Sequence, residues 1–222
     1  MQKTKSRLAR QRKRRPPRQD RSKKTYEALL DAAEKLLKDR PWEQISTVAI
    51  MAEAGCSNGA IYGRFKSKDD LLVGLYERHD AHLKRRHSEW LKSASKANLN
   101  LEEFLDRELD NLIRTLEENK GLLREMGLLS RIRPEVVSES VRSDRKVILD
   151  QIVKGVLRYR NEFKVPDPDR AAELMVFAVS TVIRESILYQ GPHYGTLKMD
   201  RAELKNLARR IALGYLGISP KG

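Results

Sequence analysis

The sequence predicts an all-α fold: an N-terminal three-helix helix-turn-helix domain followed by a C-terminal helical bundle, about nine helices in total. Three observations predict it. Apolar residues recur at three- and four-residue spacing from Tyr26 to Leu216, and no stretch alternates with the period of two that a strand requires. Ser, Asn or Asp stands at the head of most segments, where its side chain can satisfy the free amides of a first helical turn. Residues 46–65, STVAIMAEAGCSNGAIYGRF, read as two short helices around a glycine turn at Gly55. The second helix of such a unit can enter a DNA major groove.

The chain has 222 residues and a net charge of +14. That length suffices for a sizeable core without disulfide or metal staples. Cys56 is the one cysteine, so no disulfide can form within the chain, which suits a reducing compartment. No apolar run follows the basic start, and a secretory signal is not expected. The longest nearly apolar stretch, residues 171–183, is interrupted by Glu173, Ser180 and Thr181 and is too short for a bilayer span. The charge is concentrated at one end. Residues 1–24 carry twelve Lys or Arg against a single Asp, whereas residues 25–72 carry six basic and eight acidic groups. The basicity belongs to the tail and not to the fold.

Residues 1–19 include Pro16 and Pro17 and almost no apolar side chains, so they read as a basic arm without a fold of its own. The first helix starts near Asp20 or Ser22 and runs through Tyr26, Leu29, Leu30, Ala33, Leu36 and Leu37 until Pro41 stops it. Trp42 and Ile45 plug the core from the connector. Ser46 caps the first short helix and Ser57 the second, which covers residues 58–65. Ser67, Lys68, Asp69 and Asp70 open a long helix, two acids facing its positive end, that reaches about Lys92. Asn100 caps the next. Further helices follow over residues 121–132, 136–159, 169–189 and 200–216.

Residues 21–72 resemble the TetR family of bacterial transcriptional regulators. The resemblance rests on TYEALLDAA at residues 25–33, on Trp42, on Ile45 and Ser46, and on IMAEAGCS at residues 50–57. It continues through GAIY at residues 59–62 and FKSKDDLL at residues 65–72. The first helix, the Tyr62–Phe65 spacing and the Lys68 helix start make this more specific than a lone helix-turn-helix. The resemblance implies a DNA-binding domain over residues 20–72 and an effector-binding and dimerisation domain over residues 73–222, commonly pairing through the last two helices. Two departures stand out. Val48 and Ala49 occupy positions that are often polar or charged in the family, and Gly63 replaces a residue that is often aromatic or His. Val48 can offer a thymine methyl only apolar contact. Gly63 weakens the end of the second helix by on the order of 1 kcal/mol.

For the DNA, Asn58 is the expected base reader, since its amide donates and accepts together at an adenine edge. Gly59 and Ala60 have no bulk and permit close approach. Thr47, Ser57, Tyr62 and Lys68 suit phosphate oxygens. Arg64 suits either a phosphate or a structural contact. Arg12, Lys13, Arg14, Arg15 and Arg18 form the arm, placed either for the adjacent minor groove or as a solvated tail. Cys56 reads either as a redox-sensitive thiol or as a small apolar side chain at the turn.

For the remainder, the expected effector pocket draws on Trp90, Phe104, Met126, Leu129 and Met175, an apolar set that points to a hydrophobic small molecule. The expected dimer face combines Leu174, Phe177, Ala178 and Thr181 with Leu204, Leu207, Ala208, Ile211 and Tyr215. No phosphate-binding glycine loop, metal-ligand set or Gly-x-Ser-x-Gly is present, which argues against an enzyme, and neither cofactor nor metal is expected. The function expected from these residues is a homodimeric, ligand-responsive repressor of a palindromic operator in a bacterial cytoplasm, associated with the nucleoid through DNA and not with membrane. An activator, or an architectural DNA-binding protein without small-molecule input, is the alternative.

Overall fold

The computed structural model describes residues 18–57, 59–189 and 198–219. Its eight α-helices are α1 (Arg18–Leu36), α2 (Thr47–Glu53), α3 (Lys68–Lys96), α4 (Leu101–Glu118), α5 (Lys120–Ile132), α6 (Glu139–Leu157), α7 (Pro168–Leu188) and α8 (Arg201–Tyr215), and no strand occurs among the described residues. Side chains set most of the helix starts. Ser46, Ser67, Ser138 and Asp167 each accept a bond from an amide of the first turn. Asn100 and Asp200 go further and form reciprocal capping boxes with Glu103 and Glu203.

Two buried clusters organise the helices. One gathers Leu29, Leu30 and Ala33 of α1, Ile50 and Met51 of α2, and Ile61 and Phe65 around Trp42 and Ile45. It extends into Leu71, Leu72, Leu75 and Tyr76 at the head of α3, and takes in Leu122 and Met126 of α5 and Val141 of α6. The other is built from α4, α7 and α8, with Phe104, Ile113, Met175, Ile183, Ala208 and Leu213 among its members. α3 passes alongside α1 at one end and α6 at the other. Charge pairs fasten α1 to its neighbours. Arg78 of α3 meets Glu27, Asp31 and Glu34 at 2.7–3.2 Å, and Lys35 meets Glu53 of α2 at 2.6 Å.

The predicted helix over residues 58–65 is not a regular helix among the described residues. Residues 59–64 form consecutive hydrogen-bonded turns, with Ala60 N–H bonded to the Ser57 carbonyl and Phe65 N–H to that of Ile61. Gly59 and Gly63 explain this, because two glycines in so short a segment each cost on the order of 1 kcal/mol of helix propensity. Other boundaries move as well. α1 already includes Asp20 and Ser22, and it ends at Leu36, ahead of Pro41. α3 runs on to Lys96, and Ser138 delays α6 to Glu139. Removing the α2 cap by Ser46→Ala, whose Oγ takes the Ala49 amide at 3.1 Å, costs about 1 kcal/mol and lowers the melting temperature by roughly 2–4 °C. An unchanged melt would show that α2 is held by packing alone.

Candidate nucleic-acid interface and inner cavity

α2 is oriented by what it buries. Ile50 and Met51 face the core, so Val48 and Ala49 turn away from it and Val48 is 65% exposed, whereas Thr47, on the side of Ile50 and Met51, is half-buried at the helix start. Gly55 then turns the chain at φ +62°, in the left-handed region where a side chain is strained. Beyond it Ile61 and Phe65 point inward, which leaves Ser57 and Gly59 exposed and Tyr62 66% exposed. Val48, Ser57 and Tyr62 are thus the outward side chains of a bihelical unit whose inner face is fixed by apolar anchors, with Thr47 half-buried at its edge.

Two expected contact residues, Ala60 and Lys68, are placed differently from the sequence reading, and Arg64 takes the structural one of its two alternatives. Ala60 is only 8% exposed and joins the core, so its side chain offers no surface to a base edge. Arg64 is engaged within the protein. Its Nη1 donates to the Ala60 carbonyl at 3.0 Å and its Nε to the Ser22 carbonyl of α1 at 3.3 Å. Lys68 donates its Nζ to the Trp42 carbonyl and sits 4.8 Å over the Trp42 ring, and burial pushes its ammonium pKa down. Trp42 Nε1 donates to Asp69 at 3.3 Å, so the first turn of α3 clamps Trp42 from both sides. Cys56 is half-buried, with Sγ 3.5 Å from the Ala54 carbonyl. Asn58, Arg12, Lys13, Arg14 and Arg15 lie outside the described residues, and Arg18 is the first residue of α1.

Residues 29–75 match the family model described as bacterial regulatory proteins, tetR family. Over this segment the chain is similar to the TetR family. A curated helix-turn-helix transcriptional regulator of Bacillus subtilis, YwcC, is 44% identical over 54 residues, which spans 24% of this chain and 24% of that relative. Among solved structures, a TetR-family regulator from Mesorhizobium loti superimposes with a TM-score of 0.67 at 19% identity, covering 89% of this chain and 97% of the other. The fatty acid degradation regulator FadR from Bacillus halodurans gives 0.59 at 18% identity, covering 92% and 97%. At these identities the structures show a shared fold alone, and the family model covers the helix-turn-helix end.

Away from that end, a cavity of about 390 Å³ opens between α3, α4 and α6. Of the expected pocket residues only Trp90 lines it. Phe104 and Met175 are sealed in the α4, α7 and α8 cluster, whereas Met126 is buried in the helix-turn-helix cluster and Leu129 packs against it. The cavity walls also carry His87 and Glu108, which the sequence reading did not place there. A signal existed: Glu108 stands four residues after Phe104 and four before Leu112, on the apolar face of α4.

The last two helices divide their residues more strictly than the stripe drawn from sequence. Leu204 and Ala208 of α8 are buried in the protomer's own core and cannot form a dimer face. Spacing of four keeps 204, 208 and 212 on one side of the helix and 207, 211 and 215 on another. Leu207 and Tyr215 are exposed and Ile211 is half-buried; on α7 Phe177 is 68% exposed, Thr181 exposed, and Leu174 and Ala178 half-buried. No helix among the described residues is long and apolar enough to cross a membrane.

Proposed function

We propose that the protein is a dimeric transcriptional repressor that binds a palindromic operator and leaves it when a small molecule occupies the inner cavity. Residues 20–72 are its DNA-binding domain, residues 73–222 its effector-binding and dimerisation domain, and residues 1–19 a basic arm. The observation that carries this reading is the outward group of Val48, Ser57 and Tyr62 on a unit whose inner side is fixed by Ile50, Ile61 and Phe65. Thr47, Ser57 and Tyr62 hydroxyls suit phosphates, Val48 suits a thymine methyl, and Asn58 remains the proposed base reader. Lys68 and Arg64 act here chiefly by holding the unit together. The role fits a protein working in the bacterial cytoplasm with double-stranded DNA as its partner.

Dimerisation through α7 and α8 is supported by Phe177, Leu207 and Tyr215, large side chains left in solvent on the two helices. Two-fold pairing of such a face would present two reading units to a two-fold operator. Phe177→Glu is expected to yield a monomer by light scattering at micromolar protein and to weaken operator binding at least tenfold. A monomeric wild type under those conditions rejects the dimer. The function as a whole is tested by selecting genomic fragments on purified protein. Enrichment of a palindromic sequence supports it, and retention of all fragments alike defeats it. Release of the selected operator by a compound separates the ligand-responsive repressor from a regulator without small-molecule input.

A further inference from the structure

The cavity between α3, α4 and α6 contains two buried polar atoms, Glu108 Oε1 and His87 Nε2, that have no hydrogen-bond partner among the described residues. Buried polar atoms are nearly always paired, so an orphan pair facing one cavity points to a partner that arrives from outside. The two differ in kind. His87 lies parallel to Trp90, ring centres 5.9 Å apart, and burial holds its imidazole near pKa 4, neutral at physiological pH. Glu108 has its pKa pushed up to about 8 by burial alone, with no protein cation beside it to supply a counter-charge, so its carboxyl is mostly protonated at neutral pH while the cavity is empty. Trp90, Leu112, Ile148 and Ile152 make much of the remaining wall apolar, and Asn111 and Thr115 are its uncharged polar members. The walls are braced next to the cavity, since Lys84 pairs with Asp144 of α6 at 2.6 Å and Gln151 Nε2 donates to Ser88 Oγ at 3.0 Å. Arg86, Glu89 and Arg114 stand exposed at the mouth, where water and salt screen them.

We propose that the cavity takes a small organic cation with a hydrophobic or aromatic body, its positive charge set against the Glu108 carboxylate. An apolar body displaces water from the wall, and the cation supplies the counter-charge with which Glu108 ionises, its proton passing to solvent. The volume lies within the range of small-molecule sites, about 300–1,000 Å³. Neutral His87 adds no repulsion and keeps a polar atom free for the ligand. This chemistry narrows the effector of the proposed repressor and rests on that reading only for its regulatory consequence.

Titration calorimetry of the full-length protein without DNA, using tetraphenylphosphonium and its shape-matched anion tetraphenylborate, tests the charge preference. The phosphonium is expected to bind at least about tenfold tighter, the scale of one charge-assisted contact. Glu108→Gln, which keeps the side chain's shape, is expected to abolish that preference by weakening the phosphonium at least tenfold while the borate changes less than about twofold. No phosphonium binding, equal or tighter borate binding, or an undiminished phosphonium affinity in E108Q overturns the proposal. The wild-type comparison decides even where the variant folds poorly. Operator release, followed separately by fluorescence anisotropy, keeps the two readings apart. Phosphonium that binds without releasing DNA supports the cation site and rejects the release mechanism, whereas release by borate alone rejects the cation class and supports release.

Discussion

Gly121→Ala lowers the melting temperature by roughly 6–12 °C. Gly121 opens α5 directly against the end of α1, where an added Cβ would collide with the Leu37 carbonyl oxygen and approach its carbonyl carbon to 3.2 Å. The obstacle is backbone at the C-terminal end of a helix and cannot swing aside. Overpacking of this kind costs typically 1–3 kcal/mol and here about 3, at roughly 2–4 °C per kcal/mol for a chain of this size. Gly214, in the last turn of α8 with open space where its Cβ would point, is the control. Gly214→Ala is expected to leave the melt unchanged or raise it slightly, since alanine is the better helix former by up to about 1 kcal/mol. Equal melts for the two variants would show that α1 and α5 are not in register contact. Because Leu122 and Met126 of α5 sit in the same cluster as Ile50 and Ile61, the Gly121 variant is also expected to loosen the helix-turn-helix unit itself.

Deletion of residues 1–17, which leaves α1 whole, weakens binding to all DNA sequences and flattens the salt dependence. The deleted segment holds eight Lys or Arg and no acid, whereas residues 25–72 are slightly acidic. Each phosphate that loses its basic partner removes about 0.9 from the slope of log K against log salt. If the arm meets three phosphates per protomer, a dimer loses about 5 from that slope, so its affinity falls on the order of 10³-fold less than the full chain's between 50 and 200 mM salt. Specificity between operator and unrelated DNA should change far less, because phosphate contacts position the protein without reading sequence. Anisotropy titrations at several salt concentrations measure this, and an unchanged slope assigns the arm to solubility alone.

Much of the fold is legible because caps and apolar spacing agree. Asn100 and Asp200 announce their helices with Glu103 and Glu203 three residues on, and both capping boxes form. The segment after Ser57 is harder, because its apolar anchors Ile61 and Phe65 keep helical spacing while Gly59 and Gly63 withdraw the propensity. Spacing fixes which side chains point inward there, and it does so without a regular helix. The α7 and α8 faces show a different limit. Leu204 and Ala208 look no different in sequence from Leu207 and Ile211, and only the packing of α8 on α4 and α7 decides which row is inside. Glu108 and His87 escaped notice because charged and polar residues on a helix are ordinarily solvated. Their place on an apolar face was the available clue, whereas the empty volume beside them depends on how three distant segments meet.

α3 is a single helix of 29 residues, about 43 Å long at 1.5 Å per residue, and it joins the two ends of the molecule as one rigid strut. Trp90, on the cavity wall, and Lys68, on the Trp42 clamp, lie on this strut about 33 Å apart. A swing of about 5° around the Trp90 end carries the Lys68 end by about 3 Å, close to one base step of DNA. In this geometry the protein needs no chain of small side-chain adjustments between its two ends. On the proposed reading, leverage along α3 would turn a slight change of angle at the cavity into a misfit of about one base step at the groove.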